Sequence, residues 1–321
     1  MACYYPLKGY RARSVNPKTG KRSIVFDSSL GFMDMPVEFA CGQCIGCRIE
    51  RSRQWAIRCV HEAQLHEDNC FITLTYAPEH LPKNGSLVLE HFQDFMKRFR
   101  KQFVPKCPIS DSLSKTDDVL LDFRKAWFEA YAIRFFHCGE YGENLGRPHY
   151  HAIVFGYDFP DRKFLKSKAG CNLYTSEILQ ELWPFGFCTV GNVTFESAAY
   201  VARYVMKKVS GELSELWYEG RKPEYITMSR RPGIASDWFK QFEKDVFPCD
   251  EVVLRGKKLT VPKYYDKLLE IDRVAEFQKI KAKRKAKALL RKDDNTIDRL
   301  RVREICARAK LGTLIRELEH E

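Results

Sequence analysis

The chain has 321 residues, 45% of them hydrophobic, which is enough for one large domain or two ordinary ones with a sizeable core. Its formal net charge of +12 at pH 7 favours a polyanionic partner, nucleic acid above all. It contains no run of about 20 uncharged apolar residues and no signal-peptide core. We therefore expect no membrane association and a cytoplasmic protein, whose twelve cysteines are thiols or metal ligands rather than disulfides.

The first half of the chain begins with an irregular region and then becomes periodic. The first fifty residues contain turns and few periodic stretches. Residues 48–65 have apolar positions at helical spacing and predict a basic helix. Residues 71–76 are β-formers closed by prolines and predict a strand, and residues 87–104 predict an amphipathic helix. Residues 105–125 predict a loop or insertion.

The middle of the chain predicts a hairpin followed by a mixed region. The stretches AYAIRFFHCGEYG (130–142) and HYHAIVFGYDF (149–159) predict two strands, and the spacer GENLGRP between them favours a hairpin. Residues 174–183 predict a helix, and FCTVGNVTF (187–195) predicts another strand. The following stretch, SAAYVARYVMKKVSG (197–211), predicts a helix of three to four turns.

The C-terminal part is polar and irregular until a basic helical tail begins at Arg273. Eight of the fourteen residues 279–292 are basic and none is acidic, so this face cannot pack internally. It is either a solvated helix or an arm that contacts nucleic acid or a host protein. We divide the chain into four segments: a Cys-rich segment with a basic helix (1–66), a catalytic domain (67–225), an extension packed on it (226–272) and the basic tail (273–321).

A His-x-His pattern stands at the start of the strand that contains His149 and His151. Residues two apart in a strand point to the same face, so the two imidazoles can share one metal ion, although histidines in strands are often structural. The predicted hairpin returns Glu140 to their neighbourhood, with Glu143 as the competing carboxylate. Such a mixed ligand set leaves open coordination positions and suits Mg²⁺ or Mn²⁺ in a phosphate-handling site.

Two tyrosines, Tyr200 and Tyr204, are spaced four residues apart in the predicted helix 197–211 and therefore share one face. An aromatic core stripe would have the same spacing. The adjacent Arg203, Lys207 and Lys208 favour a helix that faces phosphate instead. A tyrosine beside a metal-bound phosphate could act as a nucleophile and form a phosphotyrosine bond.

The cysteine-rich stretch CGQCIGC (41–47) has the spacing of metal ligands. A structural zinc usually needs four ligands, so Cys41, Cys44 and Cys47 would require Cys3 or Cys59 as the fourth. Reduced, packed cysteines are the alternative. The arginines that follow the stretch form a solvated helix face or contact DNA phosphates: Arg48, Arg51, Arg53 and Arg58.

The stretches FITLTYAPEHLP, GRPHYHAIVFG and YVARYVMKK, in this order and spacing, resemble the three motifs of HUH endonucleases that initiate rolling-circle replication. With CGQCIGCR before them and MSRRPGI after them, the set is similar to the replication initiators of the gokushovirus branch of the microviruses, which are small single-stranded DNA phages. The resemblance covers most of residues 41–270.

The resemblance implies an α+β fold, with a central antiparallel sheet of about five strands and helices on one face, as in RRM-like HUH endonucleases. It implies metal-dependent nicking of single-stranded DNA at an origin, a 5′-phosphotyrosine link and later rejoining of strands. By motif, His149 and His151 are metal ligands and Tyr200 and Tyr204 are nucleophiles; Glu140 follows less directly, since no fixed spacing places it.

The resemblance also implies partners and a location. Lys208 would orient the active tyrosine or the phosphate, and the DNA contacts would come from five basic residues: Arg203, Lys207, Arg48, Arg51 and Arg147. The chain has no G-x-x-x-x-G-K-[ST] motif, so we expect a host helicase to unwind the DNA and a host polymerase to extend it in the host bacterial cytoplasm. An HUH transposase or relaxase, or a non-catalytic single-stranded DNA-binding protein, are the rival interpretations.

Overall fold

The structure, a computed structural model, describes residues 3–17, 20–108, 118–142, 145–168, 171–203 and 213–313. The chain forms two compact units. We call Met1–Arg51 with Gln278–Ile315 the terminal unit, and Ser52–Phe277 with Arg316–Glu321 the sheet unit. The four-segment division of the sequence stays a prediction.

Twelve strands lie in the described part of the chain. In chain order they are β1 (Leu7–Ala12), β2 (Ile24–Val25), β3 (Gly31–Phe39), β4 (Asn69–Leu74), β5 (Arg134–Tyr141), β6 (Pro148–Phe155), β7 (Lys163–Lys168), β8 (Cys171–Thr175), β9 (Cys188–Asn192), β10 (Tyr225–Met228), β11 (Val252–Leu254) and β12 (Lys257–Leu259). The predicted strands over 71–76, 130–142, 149–159 and 187–195 correspond to β4, β5, β6 and β9.

Ten α-helices accompany these strands within the described ranges. They are α1 (Ile45–Ala63), α2 (Leu89–Phe103), α3 (Asp118–Ala130), α4 (Glu177–Leu182), α5 (Phe195–Arg203), α6 (Leu213–Tyr218), α7 (Ser236–Val246), α8 (Lys263–Asp272), α9 (Val274–Leu289) and α10 (Ile297–Gly312). None of them, over the residues that the structure describes, is long and apolar enough to cross a membrane. The predicted basic helix, amphipathic helix and helical tail are present as α1, α2 and α9–α10.

The sheet unit is built on one seven-stranded antiparallel sheet with the order β10-β5-β6-β4-β9-β8-β7. Strand β6 lies between β5 and β4 near the middle of the sheet, and all eight of its residues are buried. The predicted hairpin is β5–β6, in which Tyr141 is paired with Pro148. The sequence around His149 is therefore held in the most constrained part of the fold.

The two faces of this sheet have different contents. On one face, alternate residues of β4, β6 and β9 pack against the phenylalanines of α2 and the leucines of α4 in one hydrophobic cluster: Ile72, Leu74, Tyr150, Ala152, Val154, Val190, Phe92, Phe95, Phe99, Leu179 and Leu182. On the other face, Phe136 contacts Trp55 of α1 with ring centroids 5.0 Å apart. Phe71 contacts Tyr200 of α5 on that same face, at 6.3 Å. The helices therefore cover both faces of the sheet.

The resemblance-based expectation of about five strands with helices on one face is wrong in two respects. The described sheet has seven strands, and the three that the sequence reading missed, β7, β8 and β10, lie at its two edges. Edge strands are partly solvated on both faces, so they lack a clear alternation of polar and apolar residues. Helices α1 and α5 occupy the face opposite α2, as their ring contacts show.

Three local predictions also need correction. Residues 118–125, predicted as loop, belong to α3, and the predicted helix 174–183 begins only at Glu177 because Tyr174 and Thr175 belong to β8. The N-terminal region predicted as irregular contains the three-stranded sheet β2-β1-β3. Its pairings join residues far apart in sequence, such as Leu7 with Phe39, and local periodicity does not report such pairings.

Candidate active site

The β5–β6 hairpin brings one carboxylate and two imidazoles to the sheet face that α5 covers. Glu140 of β5 is directly opposite His149 of β6, and residues directly opposite in an antiparallel pair project to the same face. His151 follows two residues later in the same strand and shares that face. A shift of one residue in the register would move the two histidines away from Glu140.

The three side chains converge on a single point. Glu140 Oε1 lies 2.9 Å from His149 Nε2 and 2.8 Å from His151 Nε2, and the three potential ligand atoms are all within 4.8 Å of one another. Glu140 and His151 are fully buried, and His149 is 9% exposed. The structure thus brings together the three predicted metal ligands, while the competing Glu143 lies outside the described residues. We call Glu140, His149 and His151 the triad.

The far nitrogen of each histidine is held by an oxygen atom. His149 Nδ1 lies 3.1 Å from the Arg147 carbonyl, which can only accept, so Nδ1 carries the proton and Nε2 keeps its lone pair. His151 Nδ1 lies 2.9 Å from Thr73 Oγ1 of the neighbouring strand β4. Hydrogen bonds of this kind fix the ring orientation and the tautomer of a metal-binding histidine.

Thr73 is a site residue that sequence reasoning missed. The only signal for it was the alternation in FITLT, which places Thr73 on the face of Phe71. Its role depends on the register of β4 against β6, in which Thr73 is opposite His151. That register is a tertiary property, and a hydroxyl in a strand has no sequence signature of its own.

The charges at the triad are those of a ligand set. Burial raises the pKa of Glu140, but the two histidines offset this and bring the pKa down to about 2, so the carboxylate is an anion. His137, on the opposite face of the same hairpin, stacks on Phe92, and burial holds the pKa of this histidine well below its usual range. Only the triad side of the hairpin therefore offers a buried charge.

Tyr200 of α5 packs against the triad. Its ring meets the ring of His151 edge to face, with centroids 5.1 Å apart, and the side chain is 3% exposed. The guanidinium of Arg203 lies 5.8 Å from the centre of the Tyr200 ring. The predicted second tyrosine, Tyr204, and the predicted Lys207 and Lys208 lie outside the described residues.

The predicted DNA-contacting arginines have different surroundings. Arg147 is half-buried and donates to the Tyr76 carbonyl at 3.1 Å, next to the triad residue His149. Arg48 is half-buried and Arg51 exposed, both at the start of α1 in the terminal unit. Arg53 donates to Thr260, and its use as a DNA contact therefore competes with this bond.

Arg58 is a correction to the prediction of a solvated or DNA-binding face. It is 9% exposed, its guanidinium lies between the rings of Trp55 and Tyr264, and it donates two hydrogen bonds to the Ile234 carbonyl. A guanidinium enclosed in this way cannot reach a phosphate. Arg58 instead joins α1 to residues about 175 positions later in the chain.

A second group of potential ligands lies in the terminal unit. The four predicted cysteines Cys3, Cys41, Cys44 and Cys47 have sulfur atoms within 4.8 Å of one another. The alternative fourth ligand, Cys59, is fully buried further along α1 in the sheet unit and does not belong to this group.

The fold and the triad define an α+β protein with a buried carboxylate-imidazole site beside a helix-borne tyrosine. The protein family described as replication-associated protein ORF2 matches residues 69–209, which include the triad and Tyr200. The chain is 33% identical to the replication-associated protein VP4 of Bdellovibrio phage phiMH2K over 307 residues, or 91% of this chain and 87% of the relative.

Two further relatives carry similar names. The chain is 30% identical to the replication-associated protein ORF2 of Spiroplasma virus 4, over 86% of this chain and 83% of the relative. It is 31% identical to the replication-associated protein ORF4 of Chlamydia phage 1, over 71% of this chain and 53% of the relative. No solved structure matches the chain significantly. The chain belongs to the family of microvirus replication-associated proteins, as its motifs predicted.

Proposed function

We propose that this replication-associated protein initiates rolling-circle replication by nicking single-stranded origin DNA with a tyrosine nucleophile and a divalent metal ion. The observation that carries the proposal is the contact of Tyr200 with a triad ligand, His151, at 5.1 Å between ring centroids. A nucleophile and a set of metal ligands in one place define a reaction, whereas either alone has simpler explanations.

The triad fits a divalent cation by the chemistry of its donors. An anionic carboxylate and two imidazoles with fixed tautomers suit Mg²⁺ or Mn²⁺, and three ligands leave coordination positions for a phosphate oxygen. A divalent cation held there would polarise the scissile phosphate and offset the charge that develops on it. Thr73 and the Arg147 carbonyl keep the two imidazoles aimed at one point.

The chain's own part in the reaction is to supply the nucleophile. The phenol oxygen of Tyr200 attacks the phosphorus of a backbone phosphodiester and loses its proton. The new bond joins phosphorus to the tyrosine oxygen, and the bond to the 3′ oxygen breaks. The departing 3′ oxygen takes up a proton, which leaves a 3′-hydroxyl for extension and a 5′-phosphotyrosine on the protein.

A second tyrosine would allow strands to be rejoined. With Tyr200 joined to DNA, Tyr204 could cleave the regenerated origin, and the released 3′-hydroxyl could attack the first phosphotyrosine link. That attack re-forms a phosphodiester, releases the tyrosine and closes a circle. In the replication cycle we propose that a host helicase and a host DNA polymerase act with the protein in the bacterial host, and that Lys208 orients the phosphate.

The DNA-binding role is supported by charge and by position. The chain carries a formal net charge of +12, and basic residues that contact phosphates supply most of the sequence-independent affinity for DNA. Arg147 and Arg203 lie next to His149 and Tyr200 in the chain and are our first candidates for contacts near the scissile phosphate. Arg48, Arg51 and Lys207 are further candidates.

The decisive experiment mixes the full-length protein with a single-stranded oligonucleotide that spans the phage origin. With Mg²⁺ or Mn²⁺ present, a protein–DNA adduct should survive denaturing electrophoresis, and a chelator should prevent it. Tyr200→Phe removes the attacking oxygen but keeps the ring contact with His151, so adduct at residue 200 should disappear. Peptide mapping of the adduct distinguishes Tyr200 from Tyr204, and Tyr204→Phe is the parallel variant.

A matched control is Tyr174→Phe, since this tyrosine lies in β8 and contacts Phe164 rather than the triad. That variant should form adduct as the wild type does. If the wild type binds the oligonucleotide but forms no adduct with any divalent metal, the chain is a non-catalytic single-stranded DNA-binding protein. Cleavage of unrelated transposon or plasmid sequences in place of the phage origin would favour the transposase or relaxase interpretation.

A further inference from the structure

The cysteine cluster of the terminal unit joins three separate places in the chain. Cys3 precedes β1, Cys41 follows β3, and Cys44 and Cys47 lie at the beginning of α1. The sulfur atoms of Cys44 and Cys3 are 3.9 Å apart, and those of Cys41 and Cys47 are 4.0 Å apart. A tetrahedral Zn²⁺ with Zn–S bonds of about 2.3 Å has sulfur–sulfur edges of about 3.8 Å. The cluster therefore has nearly the dimensions of a four-thiolate zinc site.

The backbone around the cluster is arranged to donate hydrogen bonds to sulfur. The amide of Cys41 donates to Cys3 Sγ at 3.3 Å, that of Cys44 donates to Cys41 Sγ at 3.3 Å, and that of Tyr4 donates to Cys44 Sγ at 3.4 Å. Amide donors stabilise a thiolate and orient it toward a metal. The turn between Cys41 and Cys44 depends on Gly42, whose φ of +78° favours glycine.

Positive charge surrounds the cluster. Four thiolates and one Zn²⁺ carry a net charge of −2, which needs nearby donors and cations. Cys44 directly precedes α1 and Cys47 lies in its first turn, where the helix dipole favours negative charge. Arg51 donates to the Gly42 carbonyl at 3.3 Å, so its guanidinium lies beside the turn that carries two of the cysteines.

Packing of reduced cysteines does not account for this arrangement. Cys70 and Cys188 illustrate packed thiols: each is buried in the hydrophobic cluster of the sheet unit. Cys41, Cys44 and Cys47 are half-buried, and other cysteine sulfur atoms and backbone amides surround them. Four thiols brought together at partly solvated positions gain little from burial, whereas four thiolates around a metal ion gain its binding free energy.

The terminal unit also lacks a core large enough to account for its order. Of its described residues, the buried apolar side chains are Cys3, Ala12, Ile280 and Leu300. Small domains with so little buried apolar surface generally need a disulfide or a structural metal. Tyr5, next to the cluster, hydrogen-bonds Glu304 of α10 at 2.5 Å, which carries the constraint from the cysteines to the C-terminal helix of the same unit.

We propose that Cys3, Cys41, Cys44 and Cys47 bind one structural Zn²⁺ that holds the terminal unit in its folded form. Binding releases four protons to solvent, because each thiol becomes a thiolate that donates an electron pair to zinc; no oxidation or reduction takes place. All four positions of the ion are filled by sulfur, so the site is closed and has no place for substrate. The proposal does not depend on the nicking reaction.

The first test counts metal in the purified full-length chain by elemental analysis. The measurement is made in a His149→Ala, His151→Ala background, so that metal on the triad is not counted. We expect about one zinc per chain. The Cys41→Ser, Cys44→Ser variant should contain at least about tenfold less. Cys306→Ser, an exposed cysteine of α10 in the same unit, should retain the full amount.

The second test needs no cysteine variant and therefore does not depend on its folding. Alkylation of the native chain followed by peptide mapping should modify the exposed Cys249 and Cys306 while sparing the four cluster cysteines. A strong chelator should make those four reactive, and added Zn²⁺ should protect them again. Absence of zinc, iron in its place, zinc retained by the double serine variant, or alkylation indifferent to chelator would each overturn the proposal.

Discussion

The triad in the sheet unit and the cysteine cluster in the terminal unit are both groups of potential metal ligands, yet they differ in every physical respect. The triad has one oxygen and two nitrogen donors on two adjacent strands, is almost fully buried and lies against Tyr200. The cysteine cluster has four sulfur donors from three places in the chain and is half-buried for the most part.

The difference teaches how ligand number and donor type separate chemistry from structure. Three hard or borderline donors leave a metal ion with open positions that a phosphate can fill, and the rigid sheet holds those donors still. Four thiolates close the coordination sphere and replace the hydrophobic core that the terminal unit lacks. Each prediction below removes one side of this comparison and leaves the other unchanged.

Removal of the triad histidines should have the largest effect. His149→Ala together with His151→Ala should lower adduct formation by more than about 10³-fold, beyond the loss of a single charge-stabilising donor. Binding of the oligonucleotide, measured by fluorescence anisotropy, should change little, because basic residues outside the triad supply it. Normal cleavage by this variant would contradict the metal assignment, and loss of zinc from the cysteine cluster would contradict the independence of the two sites.

Thr73→Val should have an intermediate effect on the triad. The variant keeps the shape of the side chain but removes the hydroxyl that holds His151 Nδ1. We expect the Mg²⁺ or Mn²⁺ concentration for half-maximal nicking to rise by about 10- to 100-fold, with activity recovered at high metal.

The matched control for Thr73 is Thr189→Val. Thr189 of β9 is buried directly opposite Thr73, and its hydroxyl has no hydrogen-bond partner in the described part of the structure. Its replacement should leave the metal requirement nearly unchanged. Equal shifts in both variants would mean that the effect comes from sheet packing rather than from the orientation of His151.

Removal of zinc from the cysteine cluster should loosen one unit and spare the other. Limited proteolysis after treatment with a strong chelator should cleave within residues 1–51 at least about tenfold faster, equivalent to about 1.4 kcal/mol of local stability. Peptides from the seven-stranded sheet should remain protected, since its core does not depend on the cysteines. Equally fast cleavage in both units would show that their stabilities are not separate.

Acid should have the smallest effect, and it concerns the sheet unit. His61 stacks on Trp238 and bonds Tyr265 at 2.8 Å, and burial lowers its pKa to about 3. Because the unfolded chain takes up a proton near pH 6.5 and the folded chain does not, stability falls as pH decreases from about 6.5 toward about 3, by at most about 1.4 kcal/mol per pH unit.

Urea unfolding at several pH values measures this effect. His61→Phe keeps a ring between Trp238 and Tyr265 and removes the titrating group, so the dependence on pH in that window should become weaker. The terminal unit contains no histidine in its sequence and should not share this dependence. An unchanged slope in the variant would assign the acid response to another buried group such as His137.

Much of the sheet unit was predictable, and the reason is local. Strands β4, β5, β6 and β9 lie at or near the centre of the sheet and consist of strong β-formers, so composition and turn residues locate them. The edge strands β7 and β10 are short or polar and were missed. Arg58 shows the same limit for side chains: the helix pattern marks it as basic, but Tyr264 and Ile234 decide that it is buried.

By itself the sequence determined the properties that depend on near neighbours in the chain. These are the net positive charge, the shared face of His149 and His151 in one strand, and the cysteine spacing at the start of α1. Only the tertiary structure decided that Glu140 completes the triad, that Thr73 holds His151, and that Cys3 rather than Cys59 joins the cluster. Strand register and the closure of long loops depend on the free energy of the whole fold, and no local pattern contains them.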